Sequence, residues 1–262
     1  MGGRGAKSHI AASRLRLVVN DGTVAASDDG AEVERGNANT PSGYTFNDLP
    51  HMTDAEMASV VRSARRAVLP NNLHDDLTQR VIYSLGMKGT PQIVGEDVLK
   101  QAVDSGATAL YRTVNPVPRR RLTADDVADD IRYGSVFNTG GWGGQAYGGG
   151  MYMSDNYRGS RDYGRGHGAH MLGGIFNSNA RVATDYTIRQ NLKSFIQARP
   201  QLARALGISD SSGVGLQTKT TLAIMMGYTA IQSDVGGGEH YYTVFDRSTL
   251  TVSKKNYYHS RL

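Results

Sequence analysis

"GGWGGQAYGGGMYMSDNYRGSRDYGRG", residues 140–166, packs ten glycines and four tyrosines into 27 positions. Glycine-rich stretches are usually linkers. This one, however, sets its tyrosines at fixed offsets around a strand-like apolar patch, "GMYMS" (150–154). Glycine lets a backbone approach a ligand closely, and two tyrosines offer a planar group two stacking faces. The stretch therefore reads either as a loop or as a glycine wall with a flat ligand held beside it. Its surroundings decide which.

Downstream, "HMLGGIF" (170–176) and "ARVATDY" (180–186) read as strands, and "TIRQNLKSFIQARPQLARALG" (187–207) as helix broken at Pro200. "TKTTLAIMMG" (218–227) reads as a helix closed by Gly227. Two strands follow, "YTAIQS" (228–233) and "HYYTVFDRSTLTV" (240–252), separated by the turn "DVGGG". Upstream, "ATALYRTV" (107–114) is rich in β-branched and aromatic residues, as strands are. "NPVPRRR" breaks it, and Thr123 caps a short helix, "ADDVADDIRYG".

Earlier still, "TDAE" (53–56) is a capping box with Thr53 as N-cap, and Met57, Val60, Val61, Ala64 and Val68 recur at helical spacing. "PNNLHDDLTQRVIYSLG" (70–86) reads as a second helix, capped by Asn71 or Asn72 and closed by Gly86. "TPQIV" and a short helix near Glu96–Val103 complete this part. Residues 1–50 hold one strand-like run, "RLRLVV" (14–19). The polar, acidic remainder cannot bury enough surface to offset the entropy of ordering. Three regions are expected: a tail at 1–50 that orders only on a partner, a helical segment at 51–106, and a core at 107–262. Helices come first and strands dominate the second half, which makes the class α+β.

Composition narrows the function. The chain of 262 residues has no cysteine, which removes disulfides, thiolate metal sites and a cysteine nucleophile. A net charge of +5 admits an acidic partner, but is too mild on its own for nucleic acid, which demands a concentrated basic face. No apolar run approaches the ~18–20 residues of a membrane span. The glycines never form G-x-G-x-x-G between a strand and a helix, so a dinucleotide fold of that kind is not indicated. "HGAH" places His167 and His170 at i, i+3 without a third ligand. "YRGSRDYGRG" (157–166) has the arginine, glycine and aromatic content of an RNA-binding segment, but is short and embedded. "RRR" (119–121) reads as a solvated turn.

The order "LYRT", "GGGMYMSDNYRGSRDYG", "MMGYTAI", "YYTVFDRSTLTV" resembles the catalytic domain of ADP-ribosyltransferases over roughly residues 107–252. It is also similar to the transferase-like domains attached to phage head-morphogenesis proteins. The resemblance implies a split core of two facing β-sheets and NAD as substrate. The acceptor would be a protein or a nucleic acid, or the domain would serve a phage head or portal assembly, in a virion or in host cytoplasm.

Position by position, Arg112 matches the first motif residue, suited to pyrophosphate as a permanently charged fork. Thr113 matches the residue whose backbone holds the carboxamide. Tyr152 and Tyr163 match the stacking pair and Ser160 the carboxamide serine, with Gly149 and Gly150 as the floor of the slot. One departure stands out. The last motif puts Tyr241 where the family has its catalytic glutamate. Glu239 lies two residues earlier, ~7 Å along an ideal strand on the same face, and a bulge near the glycines would be needed to close that gap. Either Glu239 is the acid, or the fold has lost its chemistry and serves assembly.

Overall fold

The computed structural model describes residues 40–71, 73, 75–87, 89–134, 149–164, 168–208 and 216–256. The strand-like run at 14–19, Asn72, His167 and the glycine segment before Gly149 lie outside them. The fold is mixed α/β, built on a single eight-stranded sheet.

The helical start follows the sequence closely. Thr53 caps α1 (Asp54–Arg66), accepting from the Glu56 amide while Glu56 reaches back to Thr53. Met57, Ala58, Val60, Val61 and Ala64 form its buried stripe. α2 (Leu77–Ser84) is capped by Asp76, whose carboxylate accepts from the Gln79 amide at 2.8 Å, in place of the expected Asn71 or Asn72. The Pro70 region stays irregular, and the helix begins only where an acid can serve its orphan amides. Ordered packing also begins before residue 51. A 3-10 turn at Phe46–His51 buries Phe46 and Leu49 in the main core, because these two apolar side chains interrupt an otherwise polar run. The tail boundary at residue 50 is therefore too late.

β1 (Gln92–Val94) leads into α3 (Glu96–Asp104), and β2 (Leu110–Val114) into α4 (Ala124–Tyr133), which opens on the capping box of Thr123 and Asp126. β3 (Met151–Ser154) is followed by a short helix within the glycine-rich stretch, α5 (Tyr157–Asp162). β4 (His170–Phe176) and β5 (Val182–Thr184) come next. The second is shorter than expected because Thr184 caps α6 (Asp185–Gln197). α7 (Pro200–Leu206) begins at the expected proline, and α8 (Leu216–Met225) ends before Gly227. β6 (Ala230–Gly236) and β7 (Glu239–Val244) form a hairpin across Gly237 and Gly238. Both have positive φ, 65° and 78°, as a two-residue turn of the primed type demands.

The final run "HYYTVFDRSTLTV" is two strands instead of one. Asp246 accepts from the amide and hydroxyl of Ser248, bending the chain into a 3-10 turn at Arg247–Thr249. β8 (Leu250–Ser253) then crosses to the other half of the sheet, between β1 and β4.

The strand order is β1-β8-β4-β2-β3-β7-β6-β5. In place of two separate facing sheets, two four-stranded halves join at the centre through one registered pair, Tyr111 with Ser154. β2 pairs β4 over five positions, and β3 pairs β7 over four. The sheet thus opens between β2 and β3, beside the residues singled out above.

Candidate functional site

The opening follows from local chemistry. Beyond the Tyr111–Ser154 pair the ladder stops, and Arg112 Nη1 donates to the Tyr152 carbonyl at 2.7 Å, bridging the diverging strands. Arg112 Nε is sealed from solvent with no hydrogen-bond partner among the described residues. Burial pulls the guanidinium down to about 10, with Tyr152 acting weakly the other way, so the group stays cationic at neutral pH. A desolvated cation lacking a carboxylate neighbour is costly.

Thr113, next along β2, turns to the opposite face. Its hydroxyl donates to the Ser160 carbonyl on α5, and the Ser160 hydroxyl donates to the Met171 sulfur at 3.5 Å. Ser160 is buried in this arrangement, inside α5 and away from any rim. Gly149 and Gly150 are buried too. A Cβ on Gly149 would meet Thr78 at 3.1 Å, and one on Gly150 would lie 2.5 Å from the Thr243 methyl. The bare side of each glycine therefore faces packed protein, which gives these residues a packing reason of their own.

β3 and β7 gather the remaining candidates. Their register pairs Tyr152 with Thr243 and Ser154 with Tyr241, so Tyr152, Ser154, Tyr241 and Glu239 share one face. Glu239 accepts from Ser154 Oγ at 2.8 Å and from Asn156 Nδ2 at 3.3 Å. Asn156 in turn caps α5, its Oδ1 accepting from the amides of Arg158 and Gly159. The carboxylate lies so close over α5 that a Cβ on Gly159 would be 2.2 Å from Oε1. Two donors and one bare glycine thus fix where this acid sits.

The anticipated bulge exists, but on the neighbouring strand. Between β6 and β7 the register runs Asp234 with His240, then Gly236 with Glu239, so the extra residue belongs to β6. β7 continues regularly against β3, and Glu239 stays two residues beyond Tyr241. Tyr163 meets Tyr241: the rings are edge to face with centroids 5.9 Å apart, and Tyr241 Oη donates to Tyr163 Oη at 2.8 Å. Asn115 Nδ2 donates to the Tyr163 carbonyl, tying the end of β2 to the end of α5.

Four contributors were not singled out in the sequence: Ser154, Asn156, Gly159 and the Asp155–His240 pair. Asp155 accepts from the His240 amide at 2.8 Å and pairs with its Nδ1 at 2.7 Å. The cluster Ser154-Asp155-Asn156 after a strand is a helix-start signal that could have located α5. His170 pairs with Asp125 at 2.9 Å, and no group of three metal-ligating side chains occurs among the described residues.

Two cavities stand out. The larger, about 660 Å³, is lined by residues such as Phe46, Leu85, Arg181 and Asp246, and touches none of the expected site residues. The smaller, about 440 Å³, is lined by Tyr111, Asp155, Asn156, Tyr157, Arg158 and Gly238, and adjoins Glu239 through Asn156. The smaller one is likewise lined by none of the expected site residues. No helix among the described residues is long and apolar enough to cross a membrane.

No protein-family model, no curated protein and no solved structure matches the chain.

Proposed function

We propose that the protein is an NAD-dependent ADP-ribosyltransferase with Glu239 as its acid. The observation that carries the proposal is the presentation of Glu239, held by Ser154 and Asn156 on the face that also bears Tyr152 and Tyr241. The opening of the one sheet into two halves between β2 and β3, spanned by the bond from Arg112 to the Tyr152 carbonyl, supports this reading.

In this reading, the bond between the ribosyl C1′ and the nicotinamide nitrogen breaks, and nicotinamide leaves with the electron pair. The developing ribosyl cation is stabilised by a nearby carboxylate, as in glycoside hydrolysis. The acceptor's nucleophile then bonds to C1′ and gives up its proton. Ser154 and Asn156 hold the carboxylate with its charge directed before the reaction begins, which limits reorganisation in the transition state.

The test is isotopically labelled NAD with the intact protein and a host lysate. Glu239→Gln is expected to retain NAD binding and lose most nicotinamide release, because the charge acts chiefly in the transition state. Equal turnover by wild type and Glu239→Gln would falsify the assignment.

One observation favours a second reading. Tyr241 occupies the position of the family's glutamate and is closed onto Tyr163 by a hydrogen bond. A domain of that kind is a silent module, serving a phage head as a structural part. Wild-type protein that neither releases nicotinamide nor labels any acceptor would select this reading.

A further inference from the structure

The end of β2 and the end of α5 are joined where Asn115 bonds Tyr163, and each carries arginines outward. Two residues beyond Asn115 begins a loop closed by the Val117–Leu122 bridge, which puts Arg119 within ~14 Å and Arg121 within ~22 Å of Asn115 along the chain. Arg119 and Arg121 are exposed on it. On the other side, Arg158 and Arg161 are exposed on α5, five and two residues before Tyr163. None of these four makes an ion pair among the described residues. The acids of the first turn of α4 are engaged: Asp125 with His170 and Asn256, and Asp126 with Thr123. On α5 itself, Asp162 follows Arg161 and is exposed.

Two further features point to a ligand. Tyr163 is 57% exposed, two residues after Arg161, and its carbonyl is tied through Asn115 to the strand end that leads into the arginine loop. Arg121 is the one non-glycine residue with positive φ (56°) among the described residues. That backbone favours glycine, so a long cationic side chain there is held against local preference. Spaced arginines around an accessible aromatic ring match a phosphodiester backbone whose bases stack. An acidic protein surface would use the charges but not the exposed part of the ring.

We propose that these joined segments bind single-stranded nucleic acid. Net charge alone could not reveal it, because it is the Asn115–Tyr163 bond that brings the two arginine-bearing segments together. The site stands without the transferase reading, and binding is measured without NAD.

The experiment is fluorescence anisotropy of labelled dT10 with the full chain, from about 50 to about 200 mM salt. Binding is expected to weaken with salt. Arg121→Gly suits the backbone there, so the fold is kept while one charge goes. It should weaken binding about fivefold near 0.1 M salt and lower the slope of log K against log salt by about 0.7. Replacing Arg119, Arg158 and Arg161 by Ala as well should abolish it. No binding by the intact protein, unchanged binding by the four-fold variant, or tighter binding of a poly-glutamate peptide of equal charge would each overturn the proposal, the last in favour of an acidic protein.

Discussion

Gly159→Ala separates the position of Glu239 from the stability of the fold. The added Cβ would lie 2.2 Å from Oε1, 2.6 Å from Oε2 and 2.7 Å from Cδ of Glu239, all far inside contact distance. The obstructing atoms are the end of a flexible side chain, so the carboxylate moves and the helix stays. Moving it forfeits the hydrogen bonds from Ser154 and Asn156, each worth up to ~1.5–3 kcal/mol to a charged group. Glu239 is half-buried, and water recovers much of that. Alanine in place of glycine inside a helix returns ~0.5–1 kcal/mol. The terms nearly offset, and unfolding free energy should change by less than ~1 kcal/mol. Nicotinamide release should fall nearly as far as in Glu239→Gln, with NAD affinity retained. Thermal unfolding gives the first quantity and labelled NAD the second. A double-mutant cycle adds a readout independent of turnover: Glu239→Gln should affect stability less in the Gly159→Ala background, since its partners are already lost. Strict additivity of the two substitutions would show that Glu239 does not rest on Gly159, and the site geometry would have to be redrawn.

Two other consequences concern the frame around the site. Arg247 is buried, and its guanidinium donates to the carbonyls of Asp130, Ile131 and Gly134, closing the C-terminal end of α4; Arg247→Met should cost ~2–4 kcal/mol in denaturant unfolding, since those carbonyls lose their partner, and a loss under ~0.5 kcal/mol would refute it. Burial pushes the Tyr242 phenol up to about 12, with Asp155 reinforcing the shift. The folded state therefore holds this proton more tightly than the unfolded chain, so the associated stability is complete below pH 10 and lost as pH rises toward 12. The loss should approach ~3 kcal/mol, and Tyr242→Phe should remove that part of the alkaline fall in melting temperature.

Local signals in the sequence located most elements. Thr53 with Glu56, Thr123 with Asp126, Pro200 and Gly227 each mark a boundary through a cap, a fixed φ or a left-handed glycine. Errors arose where a tertiary partner decides. The strand expected from His240 to Val252 breaks at Asp246, because that side chain turns the backbone and buried Arg247 anchors the turn to α4. Phe46 and Leu49 join the core although their neighbours are polar, because the packing they enter comes from elements far along the chain. Periodicity sees neither event.

The candidate site divides the same way. Spacing brought Arg112, Tyr152, Tyr163 and Glu239 into one argument, and alternation along β7 put Glu239 and Tyr241 on one face. What spacing could not supply was the strand that carries the extra residue. Three consecutive glycines permit a bulge on either side of the hairpin, and the sequence of the turn is the same in both cases. The outcome is set by pairing: Asp155 grips both the amide and the ring of His240, which locks β7 in step with β3 and leaves the irregularity to β6. Glu239 consequently stays one strand repeat beyond Tyr241, and its carboxylate meets Ser154, Asn156 and the bare face of Gly159. The residue that fixes the acid's place is thus His240, directly after it in sequence and on the opposite face of the same strand.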